Sequence, residues 1–404
     1  MYKIVIPSYQ RYELMTLQHL GMYDPKDIYI FVADKEEYNK YFKYWNEYNI
    51  IIGEKGIKNQ RNFITNYFDD GDIIVSMDDD IIRFHDRKDR LLKDAIDSCV
   101  NYLKNSDLGL MTFPPTCNSY FNREEQYTTG SYLCVGVFHI YKNDKSVQLT
   151  CDFVEDYERA VLFMKRDGAV LRCWDIAYRH LPHNPKGGLT DQRNDDKLIL
   201  QTNKMIYKYP EYLSYKYIMR LPLPQLKLHI KKTIPDVIKL PYTNIFYQLI
   251  PLLEQHTYRH YPEYIDHNCS SRKNFPKFKG NVFGRVKERK TGIINLSSAS
   301  RNFPDLYEDI VDCGRKICPF NFNCIQLNKN LVCPPHKDSN NVGISMLVSF
   351  GDYEGGNIVV EGNEYDAQEN PLLFNGSILE HYNTPILNGT KYSLVYFHNG
   401  LEDI

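Results

Sequence analysis

The N-terminal part of this chain alternates short apolar runs with stretches long enough to form a helix. Three runs rich in β-branched residues end in a proline or in acidic residues: YKIVIPSYQR (2–11), DIYIFVAD (27–34) and DIIVSMDDDI (72–81). The interval before the third run contains GIKNQRNFITNYF (56–68), which has the residue pattern of a helix. This alternation predicts an α/β sheet, in which ligand-binding residues lie beyond the carboxyl ends of the strands.

Polar residues follow each of these predicted strands. Pro7 and Ser8 follow the first strand, Asp34 follows the second, and the acids at 78–80 follow the third, so we expect them along one edge of the sheet. Carboxylates at the end of a buried strand repel one another and lose hydration, and a cation relieves that cost. Mg²⁺ or Mn²⁺ holding a diphosphate suits this role. Taken alone, such an acidic turn is also compatible with simple solvation.

The ordered segments IPSYQR, GIKNQRN and SMDDDI resemble the nucleotide-sugar-binding half of a GT-A glycosyltransferase. The resemblance implies that the first loop and the arginine of the helix contact the nucleotide, and that the acidic strand end holds ribose and metal. It assigns the nucleotide to Pro7, Ser8, Arg11 and Arg61, ribose to Asp78, the Mn²⁺ or Mg²⁺ ion to Asp80, and either role to Asp79.

Acidic residues also open the predicted helix in CDFVEDYERAVLFMKRDG (151–168). In the same family a carboxylate at this turn binds the acceptor hydroxyl and, in inverting members, acts as general base, which makes Glu155 and Asp156 the candidates. Acids at a helix N-terminus equally favour the helix dipole, so both interpretations stay open. The resemblance further implies that His183 is a third metal ligand and that Lys186 binds the diphosphate.

The α/β rhythm fades between residues 205 and 290, where proline recurs at irregular intervals. Near the end of this stretch, SRKNFPKFKGNVFGRVKERKTG (271–292) has many basic residues, one acid, and phenylalanines at Phe275, Phe278 and Phe283. Basic side chains interleaved with aromatic rings suit a phosphate backbone whose bases stack, which would make DNA a partner. A solvated basic linker is the alternative.

The C-terminal part is rich in predicted strands joined by short turns, which favours a small barrel or jelly roll. His336 and Asp338 are two residues apart, so at the end of a strand they point the same way, and His381 lies on a later strand. Two His and one carboxylate form the donor set of non-haem Fe(II) oxygenases. Lys391 precedes the last apolar run, and a buried Lys at this position needs an anionic partner.

The pattern HKD, GDYEGG, LLFNGSILEH and GTKYSLVYF resembles the double-stranded β-helix of 2-oxoglutarate/Fe(II) dioxygenases over residues 290–404. The nearest branch is that of the TET/JBP-like thymine and methylcytosine hydroxylases and their viral and algal relatives. The resemblance implies that His336, Asp338 and His381 bind iron and that Lys391 binds 2-oxoglutarate. Many nucleic-acid-modifying members have Arg at the cosubstrate position, whereas this chain has Lys, as prolyl hydroxylases do.

Length and resemblance together predict a Rossmann-like α/β GT-A domain at 1–210, a connecting segment at 211–289, and an all-β jelly-roll domain at 290–404. A dioxygenase creates a hydroxyl, and a glycosyltransferase needs one as acceptor. We therefore expect a bifunctional enzyme that hydroxylates a methyl or methylene group and then glycosylates it, on a DNA pyrimidine. The alternatives are the same chemistry on Lys or Pro of a protein, one active domain with the other as a binding module, and nucleotide-sugar hydrolysis.

Composition limits the partners and the compartment. With 49 basic and 51 acidic side chains, the chain has no overall positive field, so nucleic acid has to bind a local patch. The 10 cysteines form no CxxC pair, which predicts reduced thiols in an intracellular protein. No apolar run reaches the ~20 residues that cross a bilayer, so we expect no membrane span. The 33 Tyr, with abundant Lys, Asn and Ile, suggest an AT-rich genome, and the viral relatives predict a viral or phage origin.

Overall fold

The computed structural model describes residues 2–116, 124–181, 194–216, 225–230, 233–256, 259–261, 278–287, 291–339 and 341–401. The chain divides into two compact units. Unit 1 consists of Met1–Asn194 with Leu228–Ile230, and unit 2 consists of Asp195–Lys227 with Lys231–Ile404. The division near Asn194 differs from the boundary expected at 210. The segment expected to connect the domains, 211–289, supplies strands to the main sheet of unit 2, because those strands pair with residues far along the chain.

Unit 1 is an α/β unit built on a mixed sheet. Its strands are β1 (Lys3–Pro7), β2 (Ile28–Val32), β3 (Asn49–Ile52), β4 (Ile73–Met77), β5 (Ile81–Asp86), β6 (Leu110–Thr112), β7 (Tyr127–Gly130), β8 (Phe138–Lys142), β9 (Val170–Cys173) and β10 (Ile176–His180). Its helices are α1 (Lys35–Trp45), α2 (Ile57–Tyr67), α3 (Leu92–Lys104) and α4 (Glu155–Asp167). Short 3₁₀ turns lie at Met15–His19 and Pro25–Asp27.

The strand order in this sheet is β3-β2-β1-β4-β8-β6-β9-β7. Strands β3, β2, β1 and β4 are parallel, whereas β8 runs antiparallel to β4 and to β6. The parallel strands are buried on both faces: the fully buried residues are Ile4, Ile30 and Val75 on one face and Val5, Phe31 and Ile74 on the other. The carboxyl ends of β1, β2 and β4 therefore meet at one edge of the sheet, as predicted.

Unit 2 is built mainly from antiparallel strands. From residue 195 onward the strands are β11 (Leu213–Lys216), β12 (Gln225–Leu228), β13 (Ile238–Lys239), β14 (Arg259–Tyr261), β15 (Phe278–Lys287), β16 (Ile294–Leu296), β17 (Cys324–Lys329), β18 (Val342–Phe350), β19 (Tyr353–Gly355), β20 (Ile358–Val360), β21 (Asn363–Tyr365), β22 (Leu372–Phe374), β23 (His381–Asn383), β24 (Ile386–Gly389) and β25 (Tyr392–His398). The helices are α5 (Asp195–Lys208), α6 (Ile250–Gln255), α7 (Ser298–Asn302) and α8 (Pro304–Ile317), with a 3₁₀ turn at Ile245–Leu249.

The main sheet of unit 2 has the order β13-β22-β18-β25-β17-β15-β14, and β16 pairs with β15. Apolar side chains of this sheet, such as Leu347 and Leu372, share a core with Ile358 and Val360 of the small sheet β21-β20-β23. Two antiparallel sheets around one core agree with the predicted β-rich architecture. The prediction that 290–404 is all-β is wrong, because α7 and α8 lie within it, and α8 buries an apolar face that includes Ile310.

The basic segment 271–292 lies largely outside the described residues, including Phe275 and the side chain of Phe278. Its described part forms β15, which pairs with β16 and β17, so this part is a sheet strand and not a linker. Phe283 is fully buried and stacks on Tyr307 at 6.2 Å between ring centroids. The prediction that Phe283 stacks on a base is therefore wrong, because packing in the core occupies its ring.

Two further sequence expectations concern thiols and membranes. The eight cysteines within the described residues are buried free thiols. Among the helices that the structure describes, none is both long enough and apolar enough to span a bilayer.

Candidate functional site

Three side chains of unit 2, those of His336, Asp338 and His381, lie close together. His336 Nε2 is 3.6 Å from Asp338 Oδ1, and His381 Nε2 is 3.5 Å from Asp338 Oδ2. One ligand atom from each of the three lies within 4.8 Å of the others, and the described part of the chain holds no second group of this kind. We call these three residues the His–Asp–His triad. Two imidazoles and a carboxylate on one side of a common point suit a single transition-metal ion.

The backbone fixes the two histidines opposite each other. His336 N donates to His381 O, and His381 N donates to His336 O, each at 3.0 Å, which forms one antiparallel bridge. Asp338 N donates to Gly376 O at 2.8 Å. Since residues two apart in an extended segment point to the same side, these bonds place the Asp338 carboxylate beside both imidazoles.

The second nitrogen of each imidazole is held by the main chain. His336 Nδ1 lies 2.9 Å from Pro334 O, and His381 Nδ1 lies 3.0 Å from Leu379 O. A carbonyl oxygen can only accept, so both Nδ1 atoms carry hydrogen, and both Nε2 atoms face the Asp338 carboxylate. Each ligand of the triad is therefore oriented before any ion binds.

The pKa shifts of His336 and Asp338 show that the Asp338 carboxylate attracts positive charge. Burial opposes protonation of His336, yet its hydrogen bonds to Asp338 and Cys333 raise its pKa to about 10. Burial also disfavours the Asp338 carboxylate, but its hydrogen bonds with His336 and His381 hold the pKa of that carboxyl well below its usual range. The carboxylate thus draws positive charge onto the neighbouring imidazole. A divalent cation bound to the same atoms supplies that charge directly, so the donor set fits a metal.

Two residues that the sequence analysis missed support Asp338. Asn341 Nδ2 donates to Asp338 Oδ2 at 3.2 Å and to Ser345 Oγ at 3.2 Å. A Cβ at position 376 would lie 3.0 Å from Asp338 Oδ2 and 3.3 Å from His381 Cε1, so Gly376 leaves the space that the ligands occupy. The only sequence signal for Gly376 was its presence in a turn-like Asn-Gly pair.

Lys391 is buried just before β25, with 4% of its surface exposed. Its Nζ donates to Gly356 O and lies 5.7 Å from the centroid of the Tyr353 ring. Burial lowers the pKa of Lys391 to about 8, and within the described residues no carboxylate lies at ion-pair distance from it. A buried ammonium in this state gains from an anionic ligand.

In unit 1 the acids at the end of β4, Asp78, Asp79 and Asp80, form what we call the acid cluster. Arg11 Nη1 contacts Asp79 Oδ1 and Asp80 Oδ2, each at 2.8 Å. Ser8 Oγ donates to Asp79 Oδ2 at 2.5 Å. Arg11 and Ser8, both expected at the nucleotide, are thus engaged with carboxylates. Asp80 Oδ1 is buried without a hydrogen-bond partner among the described residues, so it is free to bind a cation.

The third acid of the cluster faces Arg61. Arg61 Nη2 lies 3.3 Å from Asp78 Oδ1, and Arg61 Nε lies 3.8 Å from Glu155 Oε1. Burial and, to a smaller extent, the nearby carboxylates raise the pKa of Asp78 to about 7, although Arg61 acts to lower it. Burial and the adjacent Glu155 likewise raise the pKa of Asp156 to about 7. The structure therefore brings Arg61, Asp78, Glu155 and Asp156 into one neighbourhood.

Four other predicted positions have different outcomes. Pro7, which was expected to follow the first strand, is the last residue of β1. Asp34 caps α1, because its Oδ1 accepts from Glu37 N at 2.9 Å, so this rim residue serves a helix. His183 and Lys186 lie outside the described residues.

Tyr178 on β10 is a further residue that the sequence analysis missed. It is fully buried, its hydroxyl has no hydrogen-bond partner among the described residues, and its ring lies 6.0 Å from that of Phe138. Burial raises the pKa of the Tyr178 hydroxyl, and so does the nearby Asp78 carboxylate. Nothing in the short sequence around Tyr178 indicates this electrostatic influence, which arises because β10 pairs with β5 directly after the acid cluster.

No protein-family model matches the chain, and no curated protein matches it. Solved structures show partial likeness. An oxidoreductase of the 2OG-Fe(II) oxygenase family from Burkholderia pseudomallei is 17% identical over 41% of this chain and 87% of its own, with a TM-score of 0.31. NgTET1 in complex with 5mC DNA is 12% identical over 52% and 92%, with a TM-score of 0.31. CMP:2-keto-3-deoxy-manno-octonic acid synthetase complexed with CTP is 11% identical over 46% and 92%, with a TM-score of 0.30. Likeness at these TM-scores does not establish a common fold.

Proposed function

We propose that this chain is an Fe(II)- and 2-oxoglutarate-dependent oxygenase whose metal site is the His–Asp–His triad. The observation that carries the proposal is the convergence of His336 Nε2, His381 Nε2 and the Asp338 carboxylate within 4.8 Å. Three protein ligands leave coordination positions for a cosubstrate and O₂. The bound iron supplies hydroxylation of an unactivated C–H bond, coupled to conversion of 2-oxoglutarate and O₂ into succinate and CO₂.

In this proposal Lys391 binds the distal carboxylate of 2-oxoglutarate. Its ammonium group is buried next to Gly356 and has no carboxylate partner among the described residues. An anionic ligand would offset the desolvation of the ammonium group, and the charge-assisted bond would fix the orientation of the cosubstrate. The catalytic domain would be a double-stranded β-helix formed by residues 290–404 together with β13, β14 and β15, which belong to the same main sheet.

We further propose that unit 1 transfers a sugar from a nucleotide sugar to the new hydroxyl. Asp80 would bind Mn²⁺ or Mg²⁺ through its free Oδ1, with His183 as the third metal ligand. Asp156 is a better general base than Glu155, because a carboxyl with a pKa near 7 exchanges protons at neutral pH and Glu155 contacts Arg61. The nucleotide and ribose would contact Pro7, Ser8, Arg11, Arg61, Asp78, Asp79 and Lys186.

The acceptor that we propose first is a DNA pyrimidine with an oxidised methyl group. Support for DNA comes from the basic segment 271–292, although the burial of Phe283 removes one of its aromatic rings from contact with bases. A protein Lys or Pro is the second candidate, favoured by Lys391, since prolyl hydroxylases also use Lys to bind 2-oxoglutarate.

Succinate release is measured with Fe(II), 2-oxoglutarate and either methylated DNA or a Lys- and Pro-containing peptide. This assay tests both the oxygenase activity and the proposed acceptor. We expect His336→Ala to abolish succinate formation and to leave nucleotide-sugar binding intact, and Asp80→Ala to do the reverse. The exposed His85 on β5 provides a matched control, and His85→Ala should change neither. Loss of both activities from either single substitution in a folded protein would contradict the two-site proposal. Succinate released only with the peptide would exclude DNA as acceptor.

A further inference from the structure

Unit 2 has a cavity of about 380 Å³ that belongs neither to the His–Asp–His triad nor to the Lys391 site. It lies between α5, α8 and the segment that leads from Cys318 into β17. Pockets that bind small ligands have volumes of about 300–1,000 Å³, so this one is large enough for a compact molecule. We call it the α5–α8 cavity.

The rim of the α5–α8 cavity carries positive charge without a balancing acid. Lys204 on α5 and Arg315 on α8 line it, no Asp or Glu does, and the described residues give neither cation an ion-pair partner. Lys316, the neighbour of Arg315, lies outside the lining and pairs with Asp312 at 2.8 Å. The two lining cations are therefore available to an anion, in contrast to the next residue of the same helix.

Aromatic and aliphatic side chains form the rest of the cavity. The rings of Tyr307, Phe320 and Phe322 line it together with Val311 and Ile325. Phe322 is held edge-on against the buried Tyr396, at 4.9 Å between ring centroids and an interplanar angle of 72°. A fixed aromatic wall offers a flat ligand a stacking surface at little cost in side-chain entropy. The wall and the two cations define a ligand with a planar ring and an anionic group.

We propose that the α5–α8 cavity binds a small aromatic phosphate of the size of a nucleoside monophosphate. The ring lies against Phe320 and Phe322, and the phosphate lies between Lys204 and Arg315, where the guanidinium can bind two oxygens at once. The volume accommodates one nucleotide unit and not a polynucleotide strand. This proposal is independent of the iron chemistry and of the acid cluster.

Reductive labelling with pyridoxal 5′-phosphate tests the proposal at the cavity itself, because this aromatic phosphate forms a reducible imine with lysine. Peptide mass spectrometry locates the labelled lysines, so binding elsewhere in the chain does not confuse the result. We expect Lys204 to be labelled at least tenfold faster than Lys208, which lies one turn further along α5. Millimolar AMP should protect Lys204. Equal labelling of Lys204 and Lys208, or no protection by AMP, would overturn the proposal.

Substitutions test the cationic rim and the aromatic wall of the α5–α8 cavity one at a time. Arg315→Gln should slow labelling of Lys204 about tenfold, whereas Lys316→Gln, next to it on α8, should leave the rate unchanged. Phe320→Ala should weaken protection by AMP while leaving protection by inorganic phosphate unchanged. Circular dichroism and thermal melting confirm that each variant is folded.

A comparison of competitors identifies the ligand class. AMP should protect Lys204 at least tenfold better than adenosine or inorganic phosphate, since each of these retains only half of the contacts. A single-stranded oligonucleotide that protects Lys204 at a far lower nucleotide concentration than AMP would overturn the small-ligand proposal in favour of nucleic acid. Unchanged labelling in Arg315→Gln would overturn it altogether.

Discussion

The His–Asp–His triad and the acid cluster both place carboxylates at the end of a strand or bridge. The negative charge of these carboxylates is neutralised differently in the two sites. In the acid cluster, Arg11 contacts two carboxylates and Arg61 contacts the third. In the triad, the side-chain partners of the Asp338 carboxylate among the described residues are two imidazoles and the amide of Asn341. Resident arginines make the acid cluster an internal ion-pair network, in which Asp80 Oδ1 is buried without a hydrogen-bond partner among the described residues. Within the same part of the chain no arginine or lysine lies at ion-pair distance from Asp338, so the triad is the better-formed metal site.

The largest effect that would sharpen this contrast is the loss of a triad ligand. We expect Asp338→Ala to lower succinate formation by well over 100-fold, because changes even in residues that only support metal ligands cost about 10–100-fold. Asp80→Ala should leave succinate formation unchanged. Coupled oxidation assays measure the rate of succinate formation by both variants. Comparable losses in the two variants would erase the distinction between the sites.

A smaller effect is expected when the triad is crowded but its ligands are kept. A methyl group at position 376 would lie 3.0 Å from Asp338 Oδ2, so Gly376→Ala should displace the carboxylate and weaken metal affinity about 10–100-fold. Gly21→Ala is the matched control, since nothing lies within 4 Å of a Cβ there. Titration with Co²⁺ measures the metal affinity of Gly376→Ala and of Gly21→Ala. Unaltered affinity in Gly376→Ala would show that the triad tolerates displacement.

The pH dependence of cosubstrate binding tests the charge at Lys391. The pKa of this buried ammonium is about 8, so the cation that binds a carboxylate is lost as the pH rises through 8. We expect KM for 2-oxoglutarate to rise about tenfold between pH 7 and pH 9, which follows from the protonated fraction at that pKa. Lys391→Arg should retain binding without this rise. A flat profile in the unsubstituted protein would remove Lys391 from the cosubstrate site.

The smallest effect concerns stability in unit 1. The pKa of Asp78 is raised from 3.8 to about 7 by folding, so its contribution to stability is complete below pH 3.8 and is lost as the pH rises to about 7. The side chain in Asp78→Asn cannot ionise, so this variant should lose less stability than the unsubstituted protein between pH 5 and pH 8. Each kcal/mol of that difference should appear as a difference of about 2–4 °C in Tm. Thermal melts, with the exposed Asp305→Asn as control, measure this. Parallel Tm profiles for Asp78→Asn and the unsubstituted protein would contradict the raised pKa.

Local patterns in the sequence predicted much of the positioning scaffold. The apolar runs near Ile4, Ile30 and Val75 became parallel strands because β-branched residues pack well on both faces of a covered sheet. The spacing of His336 and Asp338 predicted a shared direction, since side chains alternate along an extended segment. These features depend on neighbours in sequence, which is why they were predictable.

Features that depend on distant pairing were not predictable. Arg11 contacts Asp79 and Asp80 across 68 and 69 residues of sequence, and no local pattern distinguishes an arginine that holds a phosphate from one that holds a carboxylate. The burial of Phe283 follows from the pairing of β15 with β17. The Asp78 carboxylate influences the pKa of Tyr178 because β10 pairs with β5.

Anaerobic equilibrium dialysis with Fe(II) tests the central claim most directly. The unsubstituted protein should bind one more Fe(II) per chain than either His336→Ala or His381→Ala, and Asp80→Ala should keep that ion. Equal iron content in the unsubstituted protein and in both histidine variants would contradict the assignment of the His–Asp–His triad as the iron site.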